Sequence, residues 1–270
     1  MKFVTLLTTL SISLFANTQK NFEISRPALP LFSVEEFSRV FNPAPLQNDL
    51  MMVNVFGDDK RVPIIDDTAP WNSIGRLSNG CTGTLVSAKL VLTNAHCVVT
   101  EEGNPDPNLK FFYPNLVKNK CKNKYKITRV AALGTKDYKE NIGKDWAILE
   151  LDESAGDIYG WIGTFDTLDV TTVALAGYST DYDNGQTATL DRRCAVKKRL
   201  DTHWYHDCAA RKGSSGGPLV VMNKEKKPFL IAINRSARTD VENESEYSDT
   251  FANTAVPVWQ FQAKLIELLK

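Results

Sequence analysis

The stretch RKGSSGGPLV, residues 211–220, places Ser214 and Ser215 among three glycines and ahead of a proline. Glycine permits backbone angles that other residues avoid, and it lets a ligand approach the main chain closely. A serine in such a stretch is either a turn residue or a nucleophile, and turns are the commoner case. The nucleophile is favoured only if the chain also supplies a base and an acid that orients the base.

Three histidines are available as the base. His96 lies in VLTNAHCVV, at the end of an apolar stretch that is typical of a strand, so it is expected where the strand passes into a loop. A lone histidine at such a position is more often structural than catalytic. His203 and His206 lie in the polar stretch DTHWYHDC, which predicts surface positions for both.

Asp145 is the strongest candidate for the acid among the 32 acidic residues. It opens the stretch DWAILEL, whose following residues are nearly all apolar, as in a buried strand. A carboxylate at the mouth of such a strand costs free energy unless a partner hydrogen-bonds to it, and an imidazole N–H would supply that bond. Asp152, after the same strand, is the competing candidate and is expected in a turn.

The order His96, Asp145, Ser215, in the stretches TNAHC, DWAILEL and GSSGGP, resembles the motifs of the trypsin-like (chymotrypsin-fold) serine proteases. The resemblance runs from about Val53 to the C-terminus. Four stretches, GDDKRVPIIDDTAPWNSIGRL, FYPN, AGY and HDCAARKGSSGGP, make it closer to the secreted bacterial branch that includes the glutamyl endopeptidases. It implies that Ser215 is the nucleophile, that His96 is general base and then general acid, and that Asp145 orients His96. It also implies that the backbone N–H groups of Gly213 and Ser215 bind the oxyanion.

Ser214 departs from the trypsin branch of this family. That branch has an aspartate at the matching position, which pairs with a new N-terminal amine after an activating cleavage. A serine cannot form this ion pair, so the sequence predicts that activation does not work through it. We expect Ser214 to be structural and hydrogen-bonded within its own loop.

The resemblance places the substrate pocket just before the serine and along the strand IAINRSAR. The pocket candidates are Ala209, Lys212, Asn234 and Arg235. The glutamyl endopeptidases have a histidine where this chain has Asn234. The basic residues of the region would favour an acidic substrate side chain or would form a solvated rim, and the preference stays open; they are Arg211, Lys212, Arg235 and Arg238.

The elements that must position these residues are predicted to be strands. From about Val53, short runs rich in valine, isoleucine, leucine, phenylalanine and threonine alternate with turn residues, which is typical of an all-β domain. The resemblance implies two six-stranded antiparallel β-barrels (chymotrypsin-like), about residues 53–155 and 156–255. The last stretch, VPVWQFQAKLIELLK, has helical spacing and predicts a C-terminal α-helix over residues 256–270.

The first fifty residues lie outside the resemblance. Lys2 followed by an apolar run to about Phe15 and by small or polar residues predicts a signal peptide over residues 1–16. The alternative is an uncleaved anchor, although the run is short for a membrane span. Residues 17–52 are polar and proline-spotted, which predicts a pro-segment or N-terminal arm. We therefore expect a secreted protein, extracellular or periplasmic.

Export would permit disulfides among the five cysteines. Two local pairings would close short loops, Cys81 with Cys97 and Cys194 with Cys208. Each would contribute roughly 2–4 kcal/mol by restricting the unfolded chain. Cys121 is the remaining cysteine and lies in the lysine-rich stretch KNKCKNKYK, which predicts a solvated loop.

Composition limits the partners. The chain has 32 basic and 32 acidic residues and a formal net charge of zero, so nothing favours nucleic acid or a membrane surface as a partner. The sequence contains neither H-E-x-x-H nor C-x-x-C, and no metal or cofactor is expected. We expect a monomer that acts on protein or peptide substrates.

Two other classes of function stay open. The first is a protease-fold binding module without catalytic activity, although such proteins usually lose a triad residue and this chain keeps all three matches. The second is an esterase of another fold, because GSSGG fits the G-x-S-x-G elbow around Ser215. That fold needs its histidine after the serine, and all three histidines precede Ser215.

Overall fold

The structure, a computed structural model, describes residues 55–223, 227–237 and 246–270. The predicted signal peptide, residues 1–16, and the predicted N-terminal arm, residues 17–52, lie outside these residues, as does Arg238. A short strand, β1 (Val62–Pro63), precedes the two barrels.

Six antiparallel strands close into the first barrel, in the order β2-β3-β4-β7-β6-β5. Their side chains are largely apolar or small and bury against one another inside the barrel, with Leu77, Val91, Phe112 and Leu149 at its centre. The strands are β2 (Ile74–Leu77), β3 (Thr82–Leu85), β4 (Leu90–Thr93), β5 (Phe111–Pro114), β6 (Tyr125–Leu133) and β7 (Ala147–Leu151).

The second barrel also has six strands, which form the closed ring β9-β12-β13-β14-β11-β10. Its interior contains Leu175, Trp204, Leu219 and Ile231, all almost fully buried. A further strand, β8 (Gly163–Thr164), adds parallel to β13 at the outside. The strands of the ring are β9 (Thr172–Gly177), β10 (Thr189–Arg199), β11 (Trp204–His206), β12 (Pro218–Met222), β13 (Pro228–Ala237) and β14 (Asn253–Pro257).

The two barrels share a third apolar cluster. Ile74 and Ile148 of the first barrel are buried in it together with Tyr178 and Ile233 of the second. The Tyr178 hydroxyl oxygen accepts a hydrogen bond from the Leu116 N–H at 2.8 Å, and this bond gives its polar atom a partner inside the cluster. This fold confirms the predicted pair of antiparallel barrels.

Strand β1 does not pair with the barrel that follows it in the chain. It precedes the first barrel in the chain but pairs with β10 of the second, with Val62 opposite Leu190. The residues just before the first barrel therefore lie against the second barrel.

The C-terminal helix is present but shorter than residues 256–270. Pro257 still belongs to β14, a 3₁₀ turn follows over Val258–Gln260, and α2 covers only Gln262–Leu268. Phe261 and Leu265 anchor the helix because both are buried. The other helix, α1, spans Ala155–Tyr159. Among the described residues, no helix is long and apolar enough to span a membrane.

Both predicted disulfides are formed. Cys81 is joined to Cys97 beside His96, and Cys194 is joined to Cys208 in the second barrel. Cys121 is a free, half-buried thiol, and burial raises its pKa.

Candidate active site

The turn that contains Ser215 leads into β12 and requires glycine at Gly213. Gly213 has a φ of +95°, and a Cβ there would lie 2.3 Å from the main-chain oxygen of Tyr178. No side chain fits at that distance, and the backbone conformation is one that L residues rarely adopt. The glycine predicted to frame the serine is therefore a requirement of the backbone.

Thr82 of the first barrel holds the serine turn from the opposite side. Its N–H donates to the Ser215 main-chain oxygen at 2.8 Å, and its Oγ1 donates to the Gly213 oxygen at 2.8 Å. The Thr82 oxygen in turn accepts from Thr93 Oγ1 at 2.8 Å. The position of the serine turn is thus fixed by a strand of the other barrel.

Ser214 is buried, and both of its hydrogen-bonding functions are used inside the structure. Its Oγ donates to the main-chain oxygen of Arg211 at 2.6 Å and accepts from Asn234 Nδ2 at 3.1 Å. The N–H of Ser214 also donates to the Arg211 oxygen, at 3.0 Å. Ser214 therefore stabilises the turn, while the side chain of Ser215 is partly exposed.

Strand pairing brings His96 and Asp145 together. In the antiparallel pair β4–β7, Thr93 lies opposite Ala147, so the end of β4 is next to the start of β7. His96 follows β4 in a 3₁₀ turn, Ala95–Cys97, and Asp145 lies two residues before the first residue of β7. The two residues are 49 positions apart in the chain and become neighbours through this register.

Asp145 fixes the histidine ring through both carboxylate oxygens. Its Oδ2 lies 2.8 Å from His96 Nδ1, and its Oδ1 accepts from the His96 main-chain N–H at 2.9 Å. Asn94 Nδ2 donates to the Asp145 main-chain oxygen at 2.8 Å. An ionised carboxylate only accepts hydrogen bonds, so Nδ1 carries a proton, and in the neutral ring Nε2 is then the nitrogen with a lone pair.

The Asp145 carboxylate is fully buried and charged. Burial acts to raise its pKa, but His96 and Arg235 outweigh burial and hold the pKa below its usual value. The side chain of Arg235 comes from β13 of the second barrel, and its Nε donates to Asp145 Oδ2 at 2.7 Å. Its Nη2 donates to the Tyr138 main-chain oxygen at 3.0 Å. No sequence pattern predicts this contact between Arg235 and Asp145.

The polar groups of Ser215 have distinct environments. Its Oγ donates to the Arg235 main-chain oxygen at 2.8 Å. Within the described part of the chain, no hydrogen bond joins this Oγ to His96, and the N–H groups of Gly213 and Ser215 have no protein acceptor. Two main-chain donors of one turn that have no protein acceptor are what an oxyanion site requires.

The other pocket candidates surround the serine turn. Ala209 is buried, and its N–H donates to Asp191 Oδ2 at 2.8 Å. Asp191 is itself buried, which raises its pKa. The side chain of Lys212 is exposed, and Asn234 is buried with its amide nitrogen on Ser214. Their role in binding a substrate side chain stays a prediction.

An ion-pair cluster ties the segment before β1 to the serine turn. Arg61, whose side chain is 3% exposed, binds Asp59 at 2.7 Å and donates from Nη1 to Asp181 Oδ1 at 3.0 Å. Asp181 also lies 3.5 Å from Arg211 Nε, four residues before Ser215. These contacts are up to 120 positions apart in the chain, and sequence patterns carried no signal for them.

His206 is not a surface residue, contrary to the prediction. It lies on β11 with no exposed surface, and its Nε2 is 3.3 Å from the Thr254 main-chain oxygen. Burial lowers its pKa to about 4. Trp204, Tyr205 and His206 form a short buried strand. Because polar residues lie on both sides of it in the sequence, the strand was not recognised there. His203 is half-buried, with Nδ1 2.9 Å from Thr202 Oγ1.

One group of residues has the spacing of metal ligands in the described part of the chain: Cys81, His96 and Cys97, with ligand atoms within 4.8 Å. The two sulfurs are joined in a disulfide and offer no thiolate. His96 Nδ1 is directed at Asp145. The group is explained by the disulfide beside the histidine.

Two closed six-stranded barrels define a chymotrypsin-like fold, and comparisons with known proteins agree. The profile of the family described as Trypsin matches residues 60–262, so the chain belongs to the trypsin family. Serine protease 23 of Bos taurus is 28% identical over 193 residues, which are 62% of this chain and 51% of that protein. The chain thus spans about half the length of this relative.

The bacterial branch is represented as well. Glutamyl endopeptidase of Bacillus licheniformis is 26% identical over 199 residues, which are 68% of this chain and 60% of that protein. The solved structure of Glu endopeptidase in complex with MPD has a TM-score of 0.61 at 22% identity, and covers 78% of this chain and 98% of that one. The resemblance predicted from the sequence motifs is confirmed.

Proposed function

We propose that the protein is a secreted serine endopeptidase that hydrolyses peptide bonds through an acyl-enzyme intermediate. The observation that carries the proposal is the hydrogen bond of 2.8 Å between His96 Nδ1 and the buried carboxylate of Asp145. It leaves Nε2 as a base in the family that the chain belongs to. The triad consists of His96, Asp145 and Ser215.

In the first step, Ser215 Oγ leaves the Arg235 oxygen and forms a bond to the carbonyl carbon of the substrate. His96 Nε2 takes the hydroxyl proton as that bond forms, and then gives it to the leaving amine. Asp145 keeps the ring in the required tautomer and stabilises the imidazolium. In apo sites such catalytic hydrogen bonds often form only with substrate.

The N–H groups of Gly213 and Ser215 are the donors that we assign to the oxyanion. They are held by a backbone that Thr82 fixes from the first barrel, so they need no rearrangement when the charge develops. Removing one donor of such a site typically costs about 3–4 kcal/mol of transition-state stabilisation. Water then attacks the acyl-enzyme by the same route, with His96 again as base.

The active state does not depend on an ion pair with a new N-terminal amine. Ser214 is bound to Arg211 and Asn234, and it carries no charge. The cluster around Arg61 makes the connection between the N-terminal segment and the serine turn through internal side chains. Removal of residues 17–52 would then create no ion pair that catalysis requires.

Export through residues 1–16 agrees with the two disulfides, which form and persist in oxidising compartments. The substrates that we propose are proteins or peptides, cleaved by a monomer. Which side chain the pocket prefers depends on Ala209, Lys212 and Asn234, and the cleavage positions will decide it.

The test is cleavage of a mixed fluorogenic peptide library by the purified chain, processed from about Val53, beside Ser215→Ala. Cleavage by the first and none by the second supports the proposal, and the cut positions report the pocket preference. If a folded, processed chain cleaves nothing and its serine reacts with no fluorophosphonate, the protein is a binding module with a protease fold.

A further inference from the structure

We propose that Arg235 is a positioning residue that holds the Asp145 carboxylate and opposes positive charge on His96, so that the enzyme keeps its activity at lower pH. This inference rests on the proposed function, because it concerns the same histidine. It assigns to Arg235 a role in proton transfer rather than in the substrate pocket.

The contacts of Arg235 connect the two barrels at the site. Its Nε donates to Asp145 Oδ2 at 2.7 Å, the same oxygen that receives His96 Nδ1 at 2.8 Å. Its Nη2 donates to the Tyr138 main-chain oxygen at 3.0 Å, in the loop between β6 and β7. Its own main-chain oxygen accepts from Ser215 Oγ at 2.8 Å. One residue thus contacts both the acid and the nucleophile.

The shape of the guanidinium suits this position. A planar fork reaches two acceptors at once and remains charged at every working pH, whereas a lysine would present a single point charge. The side chain of Arg235 is only 14% exposed and that of Asp145 is 0% exposed, so solvent screens their interaction little. The carboxylate is therefore held between an imidazole and a permanent cation.

The charges that face His96 determine the direction of the effect. Asp145 stabilises an imidazolium, and Arg235, which binds the same carboxylate oxygen, opposes it. The Tyr138 ring lies 5.8 Å from the His96 ring. Beyond Tyr138, Glu101 and Lys139 form an exposed ion pair that is largely screened, and Glu102 is fully exposed. Arg235 is the close cation in this set.

The imidazolium is the inactive form of the base, so a cation that opposes it extends activity toward acid. Neutralising Arg235 removes that opposition, and the acid limb of the kcat/KM profile should move to higher pH. Removing a single charge that binds the same carboxylate oxygen as the imidazole should shift such a midpoint by about one pH unit. The direction is opposite to that expected if an aspartate partner were lost.

Two variants separate the charge from the hydrogen bond. Arg235→Gln keeps a donor for Asp145 without a charge, and Arg235→Met removes both. We expect the acid-limb midpoint to rise by about one pH unit in both variants. The plateau kcat should fall by less than about threefold in the glutamine variant and by roughly tenfold in the methionine variant, with KM within about twofold.

Arg129→Gln is the matched control, because Arg129 is a 58% exposed arginine paired with Glu150 on the first barrel. Its profile should coincide with that of the unmodified chain. A purely structural Arg235 would lower Tm and kcat and leave the midpoint in place, which would overturn the proposal. An increase in KM for acidic substrates, with the acid-limb midpoint unchanged, would also overturn the proposal and would indicate that Arg235 binds the substrate side chain.

A second readout does not depend on proteolysis. In a Ser215→Ala background, the His96 ring can be titrated by NMR after selective isotope labelling, with and without Arg235→Gln. We expect the His96 midpoint to rise by about one pH unit in the glutamine variant even if the chain cleaves no peptide. If the His96 titrations with and without Arg235→Gln coincide, the proposed role of Arg235 is refuted. If the titration shifts but the unmodified chain cleaves no peptide, only the endopeptidase proposal is refuted.

Discussion

His206 predicts a stability that depends on pH. The histidine is fully buried in the second barrel, and its pKa is lowered from 6.5 to about 4. Between these values the unfolded chain binds the proton and the folded chain does not. Stability is therefore complete above about pH 6.5 and is lost as the pH falls toward 4.

The size of the loss in unfolding free energy follows from the shift in the pKa of His206. Each pKa unit corresponds to about 1.4 kcal/mol, so His206 alone should remove about 2–3 kcal/mol of unfolding free energy between about pH 7 and about pH 4.5. The carboxylates with lowered pKa values, Asp145 and Asp59, act only below about their ordinary value of 3.8. Asp191, whose pKa is raised, acts in the opposite direction and is common to all variants.

The assay is urea unfolding at several pH values for the unmodified chain, His206→Gln and His203→Gln. The glutamine at position 206 stays neutral and keeps a donor for the Thr254 oxygen. We expect its unfolding free energy to lose about 2–3 kcal/mol less on acidification than that of the unmodified chain, and the His203 variant to behave like the unmodified chain. Equal losses in all three proteins would refute the account of His206.

Three further substitutions test the site and its supports. Arg61→Met should cost about 2 kcal/mol in chemical denaturation, because it leaves Asp59, 13% exposed, without its ion-pair partner and Asp181, 28% exposed, with only the longer contact to Arg211; an unchanged midpoint would contradict this. Asp145→Asn should lower kcat by about four orders of magnitude with little change in KM, because the histidine loses its tautomer; a loss below about tenfold would argue against the triad. Gly213→Ala should lower kcat by at least about a hundredfold, measured beside circular dichroism of the folded chain, because its Cβ would meet the Tyr178 oxygen at 2.3 Å.

The elements that place His96 and Asp145 were predictable from local patterns. Apolar runs marked β4 and β7, and antiparallel pairing of these strands carries the two residues to the same edge of the barrel. The glycines around Ser215 likewise indicated a turn with backbone conformations that other residues rarely adopt. Strand periodicity and turn chemistry act over a few residues, so a sequence reveals them directly.

The interactions between distant segments were not predictable. Arg235 and Asp145 are 90 positions apart, and their contact exists only because the barrels face each other. The burial of His206 was not predictable, because polar residues lie on both sides of its strand and three residues are too few to show a period of two. The predicted C-terminal helix over residues 256–270 is too long, because Pro257 is the last residue of β14 and a 3₁₀ turn precedes the helix.

The central claim is that Ser215 is a nucleophile activated by His96. The most direct test is intact-protein mass spectrometry of the chain processed from about Val53 after reaction with a fluorophosphonate, beside Ser215→Ala and His96→Gln. The account predicts one phosphonyl adduct, located on Ser215, that is absent from the first variant and strongly slowed in the second. A folded chain that gains no adduct, or gains one equally fast without His96, would contradict it.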